Sequence, residues 1–408
     1  MTADFLSGES LYRDVITYFQ FGAHRTATEG ETITTAWIEE ELQAAGLKAS
    51  SQAFPVRQFF LRESSLVVAG ERIQCFPWWY PFATGPRPIN ARIAPLGANQ
   101  KGKIALVKHI SESGRAAYSY SEGWGLIQSA IDAGAPAVII IADNRAGEIV
   151  AYYSQNRPDP WPVPVILVGV RDESILTSAV VQGAEVSLLV DGREEQKAEA
   201  RNVFGTWESG ENTIVISTPK SGWFRCAGER GPGVALFLAL ARWVGQRQPE
   251  TSYLFDCNTG HELMGLGILR FIDELAPPPQ RVLCWMHLGA NIATCSWEET
   301  PEGLQPSAKA ENYRIMCTRD DLLGPLGKAF ASIPGVRPVV GQTIGEMAAM
   351  ERAGYRGFGV NGGLHPFFHT PGDSPKTTAP ELLEPIALSL TRALELIEAG
   401  ANDLTRHK

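Results

Sequence analysis

Residues 212–258 hold three apolar runs in close succession, NTIVIST (212–218), GPGVALFLALARWVG (231–245) and SYLFDCN (252–258). The first and third are short and rich in β-branched or aromatic residues, as strands are. The middle run is too long and too rich in Ala and Leu for a strand, and its early Pro suits the first turn of a helix. Two further runs continue the alternation: ELMGLGILRFIDELA (262–276) reads as a helix opening at Glu262, and RVLCWMHLG (281–289) as a strand. Apolar strands alternating with helices imply an α/β fold, a mostly parallel sheet with helices on both faces and a site in the loops at the carboxyl ends of the strands.

Upstream, ITTAWIEEELQAAGLKA (33–49) spaces Ile33, Trp37 and Leu42 along one helix face and stops at Gly46, a plausible glycine just past the helix end. Between the two regions the texture changes to short β-type runs broken by Gly and Pro, namely KGKIALVKH (101–109), APAVIIIADN (135–144) and VPVILVGV (163–170), with EGWGLIQSAIDAGA (122–135) as a helix. This divides the chain into a main domain over 1–55 and 201–408 and a separate α/β domain over 56–200.

The chain has 408 residues, 44% hydrophobic and 20% charged, enough for a large core. Its 45 acidic residues against 36 basic ones, without long runs of either sign, speak against nucleic acid or an anionic membrane as partner. A small-molecule or short-peptide substrate fits better, and a homo-oligomer is compatible with this composition. The start, MTADFLSGESLYRDV, carries no basic segment followed by an apolar one, so the expected location is cytoplasmic. Six cysteines without C-x-x-C spacing read as reduced core residues.

A chemical signal lies in TGHELMGLG (259–267), where a His and a Glu stand together after a strand. The H-E-x-x-H zinc motif fails because position 265 is Gly. The order FGAHRTATEGETITTAWIEEELQAAGL (21–47), ARNVFGTW (200–207), TIVISTPKSGWF (213–224), ERGPGVALFLALARW (229–243), HELMGLG (261–267) and FHTPGDSPKTT (368–378) resembles the co-catalytic zinc aminopeptidases. That group, metallopeptidase family twenty-eight, includes aminopeptidase Y, bacterial leucine aminopeptidases and glutaminyl cyclases. The 56–200 stretch is similar to the protease-associated domain that many of them carry as an insert.

The resemblance implies two zinc ions held by a His, a bridging Asp, a Glu, a second Asp and a last His, with a second Glu as general base. This chain departs from it. Thr218, Pro219 and Lys220 stand where the family has His-x-Asp, Glu229 followed by Arg230 stands at the bridge, and His261-Glu262 replaces the Glu-Glu pair. The second Asp falls at Met286 or His287, His369 matches the last ligand, and Asp373 the acid after it. The expectation is therefore at most one zinc ion, on Glu229, Glu262 and His369, with Asp373, Thr218 and Glu346 around it. His261 is the expected proton acceptor, since an imidazole of ordinary pKa, about 6.5, suits transfer near neutrality. Lys220, Arg230 and His287 complete the expected catalytic set, the two cations stabilising an oxyanion and favouring an anionic substrate.

Alternative readings stand beside these. Lys220 and Arg230 can neutralise Glu229 and Glu262 in a site without metal, His261 can be a residue of the helix entrance, and His287 a core histidine. His365 is separated from His369 by Pro366, which argues against a helical ligand pair. The aromatic run FPWWYPF (76–82) is a core plug or the rim of a pocket. The reading as a whole is a hydrolase of an amide or related C–N bond. The alternatives are a non-catalytic descendant that binds a peptide or metabolite, and a metal-independent enzyme of altered chemistry.

Overall fold

The computed structural model describes residues 4–109, 124–152, 161–341 and 343–406, so the first two residues of EGWGLIQSAIDAGA lie outside the described residues. The chain forms two compact units, one of residues 1–54, 199–365 and 373–408, the other of residues 55–198 and 366–372.

In the first unit the sheet is centred on Thr213–Pro219, flanked by Ser252–Asn258 and Val282–Leu288, both parallel to it. Gly357–Gly362 runs parallel to Val282–Leu288, and Tyr313–Cys317 and Pro338–Val340 follow outward on that side. On the other side Val203–Trp207 pairs antiparallel with Ser252–Asn258. Strand alternation sorts the core into two layers. Ile214, Ile216, Phe255, Met286 and Val360 pack against the helices Gly8–Gln20, Glu29–Ala44, Gly231–Arg247 and Pro380–Arg406. Val215, Leu254, Trp285 and Met316 face Leu266–Glu274 and Met347–Arg352 on the opposite side. The fold is thus a mostly parallel sheet with helices on both faces, as its strand and helix pattern implies.

The chain leaves Thr213–Pro219, returns to one neighbour through Gly231–Arg247, and then crosses to the other through Leu266–Glu274. Successive connections diverge at the central strand, so three strand ends open into one crevice. Close approach there is required: a Cβ on Gly233, in the first turn of Gly231–Arg247, would lie 2.9 Å from Thr218 Oγ1.

Two elements differ from the sequence reading. The helix expected from Glu262 begins at Leu266, because Met264 and Gly265 adopt left-handed φ values of 69° and 71° and close a turn first. Helix Glu29–Ala44 buries Glu31, Thr34, Thr35, Ile38 and Leu42, while Ile33 is exposed, so the inner stripe is rotated from the one built on Ile33 and Trp37. Gly46, at φ 86°, does stand just past the helix end.

In the second unit Ile89–Pro95, Ile104–His109, Val138–Ala142 and Val165–Gly169 are successive parallel neighbours, with Phe76–Pro77 antiparallel at the edge. Helix Glu173–Gln182 supplies Leu176 and Ala179 to its core. Of the aromatic run, Trp78 and Trp79 are buried and Phe82 is exposed. All six cysteines are unpaired and buried. No helix among the described residues is long and apolar enough to cross a membrane.

Candidate active site

The ends of the three central strands in the first unit carry a cluster of polar side chains that is almost wholly buried. Lys220 follows the central strand directly, its backbone N–H donating to Asn258 O at 2.8 Å. Its side chain is fully buried and its ammonium pairs with Glu31. Burial pushes the ammonium down to about 8, against the opposing pull of Cys257, Glu262 and Asp256. Glu31 is held in turn by Thr35 Oγ1 at 3.1 Å and by the Ala27 N–H at 3.2 Å.

Arg230 caps Gly231–Arg247 and pairs with Glu229 at 2.8 Å, both side chains being 1% exposed. Its Nε donates to Ser221 O at 3.2 Å. Glu262 accepts the Thr26 N–H on one oxygen at 2.6 Å and the Ser221 hydroxyl on the other at 2.8 Å. Ser221 also receives the His261 N–H at 3.1 Å, and Thr26 Oγ1 that of Gly260 at 2.9 Å. The turn that presents His261 and Glu262 is therefore tied to the segment between the first two long helices. Asp373 accepts the N–H groups of Gly228 and Glu229 at 2.8 and 3.0 Å, and burial raises it to about 7 despite those bonds.

His261 is the member of this set nearest solvent, its side chain 14% exposed. Its Nδ1 lies 2.8 Å from Glu346 Oε1, and the other Glu346 oxygen accepts Asn258 Nδ2 at 3.1 Å. Burial raises the Glu346 carboxyl, but the His261 hydrogen bond and the nearby His261, His287 and Arg230 outweigh it and hold it below its ordinary value. His287 points to the same face: its Nδ1 is 3.0 Å from Ser217 Oγ, which also accepts Trp285 Nε1 at 2.8 Å. Burial pushes His287 down to about 4 and keeps it neutral. Met286 lies in the opposite core layer, so His287 is the residue of this strand that meets the polar cluster.

Thr218 donates to Leu288 O at 2.8 Å and serves the strand ends rather than an exposed surface. His365 is buried within the first unit. His369 lies in the 366–372 segment of the second unit, with a left-handed φ of 60° and Nδ1 3.0 Å from Ala151 O.

The donor set does not fit a metal ion in this arrangement. Among the described residues no group of three or more His, Cys, Asp or Glu side chains is disposed to hold one. Both Glu262 oxygens already accept protein donors, and Glu229 faces a guanidinium. The same pairings remove the cationic pocket expected from the sequence. Lys220 is matched by Glu31 and Arg230 by Glu229, so neither is an uncompensated charge. Several residues of the cluster went unnoticed in the sequence: Glu31, Thr26 and Asn258. Glu31 had a signal, since it sits on the stripe with Thr34, Thr35, Ile38 and Leu42, where an acid is unexpected.

We find no matching family model and no matching curated protein. Solved structures do match. A zinc aminopeptidase from Bacillus subtilis aligns at 18% identity over 95% of this chain and 94% of its own, with a TM-score of 0.74. A peptidase M28 precursor from Shewanella amazonensis aligns at 15% identity over 95% and 92%, again with a TM-score of 0.74. A glutaminyl cyclase from Porphyromonas gingivalis aligns at 10% identity over 96% and 99%, with a TM-score of 0.52. Across nearly its whole length, the chain has the fold of the M28-type zinc aminopeptidases and of glutaminyl cyclase.

Proposed function

We propose that the chain is a hydrolase of an amide or related C–N bond in a small peptide-like or metabolite substrate, with His261 as proton acceptor. The observation that carries this reading is the 2.8 Å contact between His261 Nδ1 and the buried carboxylate of Glu346. With Nδ1–H donated to Glu346, the lone pair lies on Nε2, where it takes a proton from an attacking water. The carboxylate fixes the ring and stabilises the imidazolium that forms. Glu346 is itself held by Asn258, so the pair stands on the strand end rather than on a mobile side chain.

Glu262 acts as an anchor here: bonded to Thr26 and Ser221, it holds the turn that carries His261. Lys220 and Arg230 balance buried carboxylates, and no step is assigned to them or to a metal ion. With Lys220 and Arg230 each facing a carboxylate, they give no reason to favour an anionic substrate. A cytoplasmic location belongs to this proposal and rests on the six unpaired cysteines.

A non-catalytic binding protein is the second reading, favoured by one observation: each oxygen of Glu262 already accepts a protein donor. A panel of acyl amides, dipeptides and N-carbamoyl compounds, assayed with wild type and His261→Ala, separates the two. Turnover by wild type that is lost in the variant supports the hydrolase. Ligands that raise the melting temperature but are never converted, by either protein, support the binding reading.

A further inference from the structure

On the outer side of the first unit's sheet, Pro338–Val340 is the last strand, pairing only with Tyr313–Cys317 through Ile315↔Pro338, Met316↔Val339 and Cys317↔Val340. One residue before the first of these pairs stand Arg314 and Arg337. Side chains alternate along strands, so Arg314 and Met316 share one face with Val339, and Arg337, just before Pro338–Val340, lines the same groove as Arg314. Like charges brought to one groove repel. Among the described residues neither arginine has a carboxylate partner, although the chain carries a formal charge of -9. The two arginines border a groove of about 400 Å³ that Met316, Val339 and Ile344 also line, with Val339 and Ile344 exposed.

We infer that this groove docks an extended acidic peptide, whose carboxylate bridges Arg314 and Arg337 and whose apolar side chain lies on Met316, Val339 and Ile344. Three features converge on that ligand. The outer edge of Pro338–Val340 offers backbone groups to an added strand. Two guanidiniums that line one groove favour a carboxylate there. A peptide with an acidic and an apolar residue two positions apart presents both to the same face and meets both halves of the groove, which neither a free anion nor an apolar segment does. The inference does not depend on the reaction proposed for the His261 cluster.

The test is fluorescence anisotropy with a labelled peptide of repeating Glu-Thr-Val-Thr, against wild type and the Arg314→Gln, Arg337→Gln double variant. Two solvent-exposed ionic contacts together account for about two- to thirtyfold in affinity. Saturable binding that weakens by that factor in the double variant, and by a similar factor when glutamine replaces glutamate in the peptide, supports the inference. An Arg319→Gln control should bind as wild type. Equal binding by wild type and the double variant overturns it, as does no saturation at millimolar protein. Displacement by inorganic phosphate as effective as that by unlabelled peptide also overturns it, since the groove would then be a small-anion site only. Melting curves check folding, and removal of either arginine should leave the melting temperature unchanged or slightly higher.

Discussion

Replacing Glu31 by Gln removes the carboxylate against Lys220 while keeping the side chain's shape. The chain should lose about 3–5 kcal/mol of stability, as when half of a buried ion pair is removed. The pair is 0% and 2% exposed, so solvent offers the orphaned ammonium nothing. The lysine must then stay charged without its partner or give up its proton. Because burial already holds Lys220 at about 8, giving up the proton at pH 7 costs only about 1.4 kcal/mol on top of the lost ion pair. The attraction of Glu262 and Asp256 keeps the loss toward the lower end. At about 2–4 °C per kcal/mol for a unit of this size, the melting temperature falls by on the order of 10 °C.

The pH dependence follows from the same group. Burial lowers Lys220 to about 8, so between that pH and the ordinary value of 10.5 the unfolded chain binds a proton that the folded chain has lost. Stability from this group therefore rises with pH across that window. In Glu31→Gln the folded lysine is neutral from a lower pH, so the deficit of the variant narrows as pH climbs through 8. Adding Lys220→Met should restore most of the loss, because a buried pair replaced by apolar groups is often nearly neutral. Thermal unfolding followed by circular dichroism at several pH values is the assay. A single variant melting within about 2 °C of wild type at pH 7, or a double variant no better than the single, would refute the assignment of Lys220 to Glu31.

Three further outcomes are expected. His287, pushed down to about 4 by burial, is neutral in the folded chain while an unfolded histidine takes a proton below about 6.5, so its contribution is lost as pH falls through that range. The destabilisation by His287→Gln should thus be about 2 kcal/mol smaller at pH 5 than at pH 7.5 in urea unfolding, and a difference independent of pH would contradict this. Plasma emission spectrometry should find no more than one equivalent of zinc per chain, since Thr218 and Lys220 replace ligand types; two tightly held equivalents would sink that reading. Glu262→Ala should loosen the turn at His261, seen as faster amide exchange at residues 260–263, whereas unchanged protection would deny Glu262 its anchoring role.

The strands and helices of the first unit were legible because burial writes itself into composition. SYLFDCN and Ser252–Asn258 coincide, and NTIVIST and RVLCWMHLG contain their strands to within a residue. The parallel order follows from strands apolar on both faces. What failed was local geometry. The left-handed pair Met264 and Gly265 delays a helix that periodicity alone starts at Glu262, and nothing in the pattern distinguishes that turn from a first helical turn.

The site was legible as a set of residue types and much less so as a set of partners. His261, Glu262, Glu229, Arg230 and Lys220 all lie at the strand ends, but pairing depends on residues distant in sequence. Lys220 meets Glu31 across 189 positions and His261 meets Glu346 across 85. A buried acid in a helix looks like any acid in a first turn until the apolar stripe is placed correctly, and here Thr34 and Thr35 stood where apolar residues mark a stripe. The cationic pocket inferred from Lys220 and Arg230 dissolved for that reason, because counting charges along a segment says nothing of which carboxylate each one faces.

The most direct test of His261 as proton acceptor is a pH–rate profile of wild type, His261→Ala and Glu346→Gln on an amide that wild type hydrolyses. A histidine base accepts a proton only as the neutral ring, so activity should fall toward low pH. In Glu346→Gln the maximal rate should fall, because the carboxylate that orients the ring and stabilises the imidazolium formed during the reaction is gone. His261→Ala should be slower by about two to four orders of magnitude while melting as wild type does. If His261→Ala retains the rate and the acidic limb of wild type, the proton acceptor lies elsewhere and the proposed role of the His261–Glu346 pair is wrong.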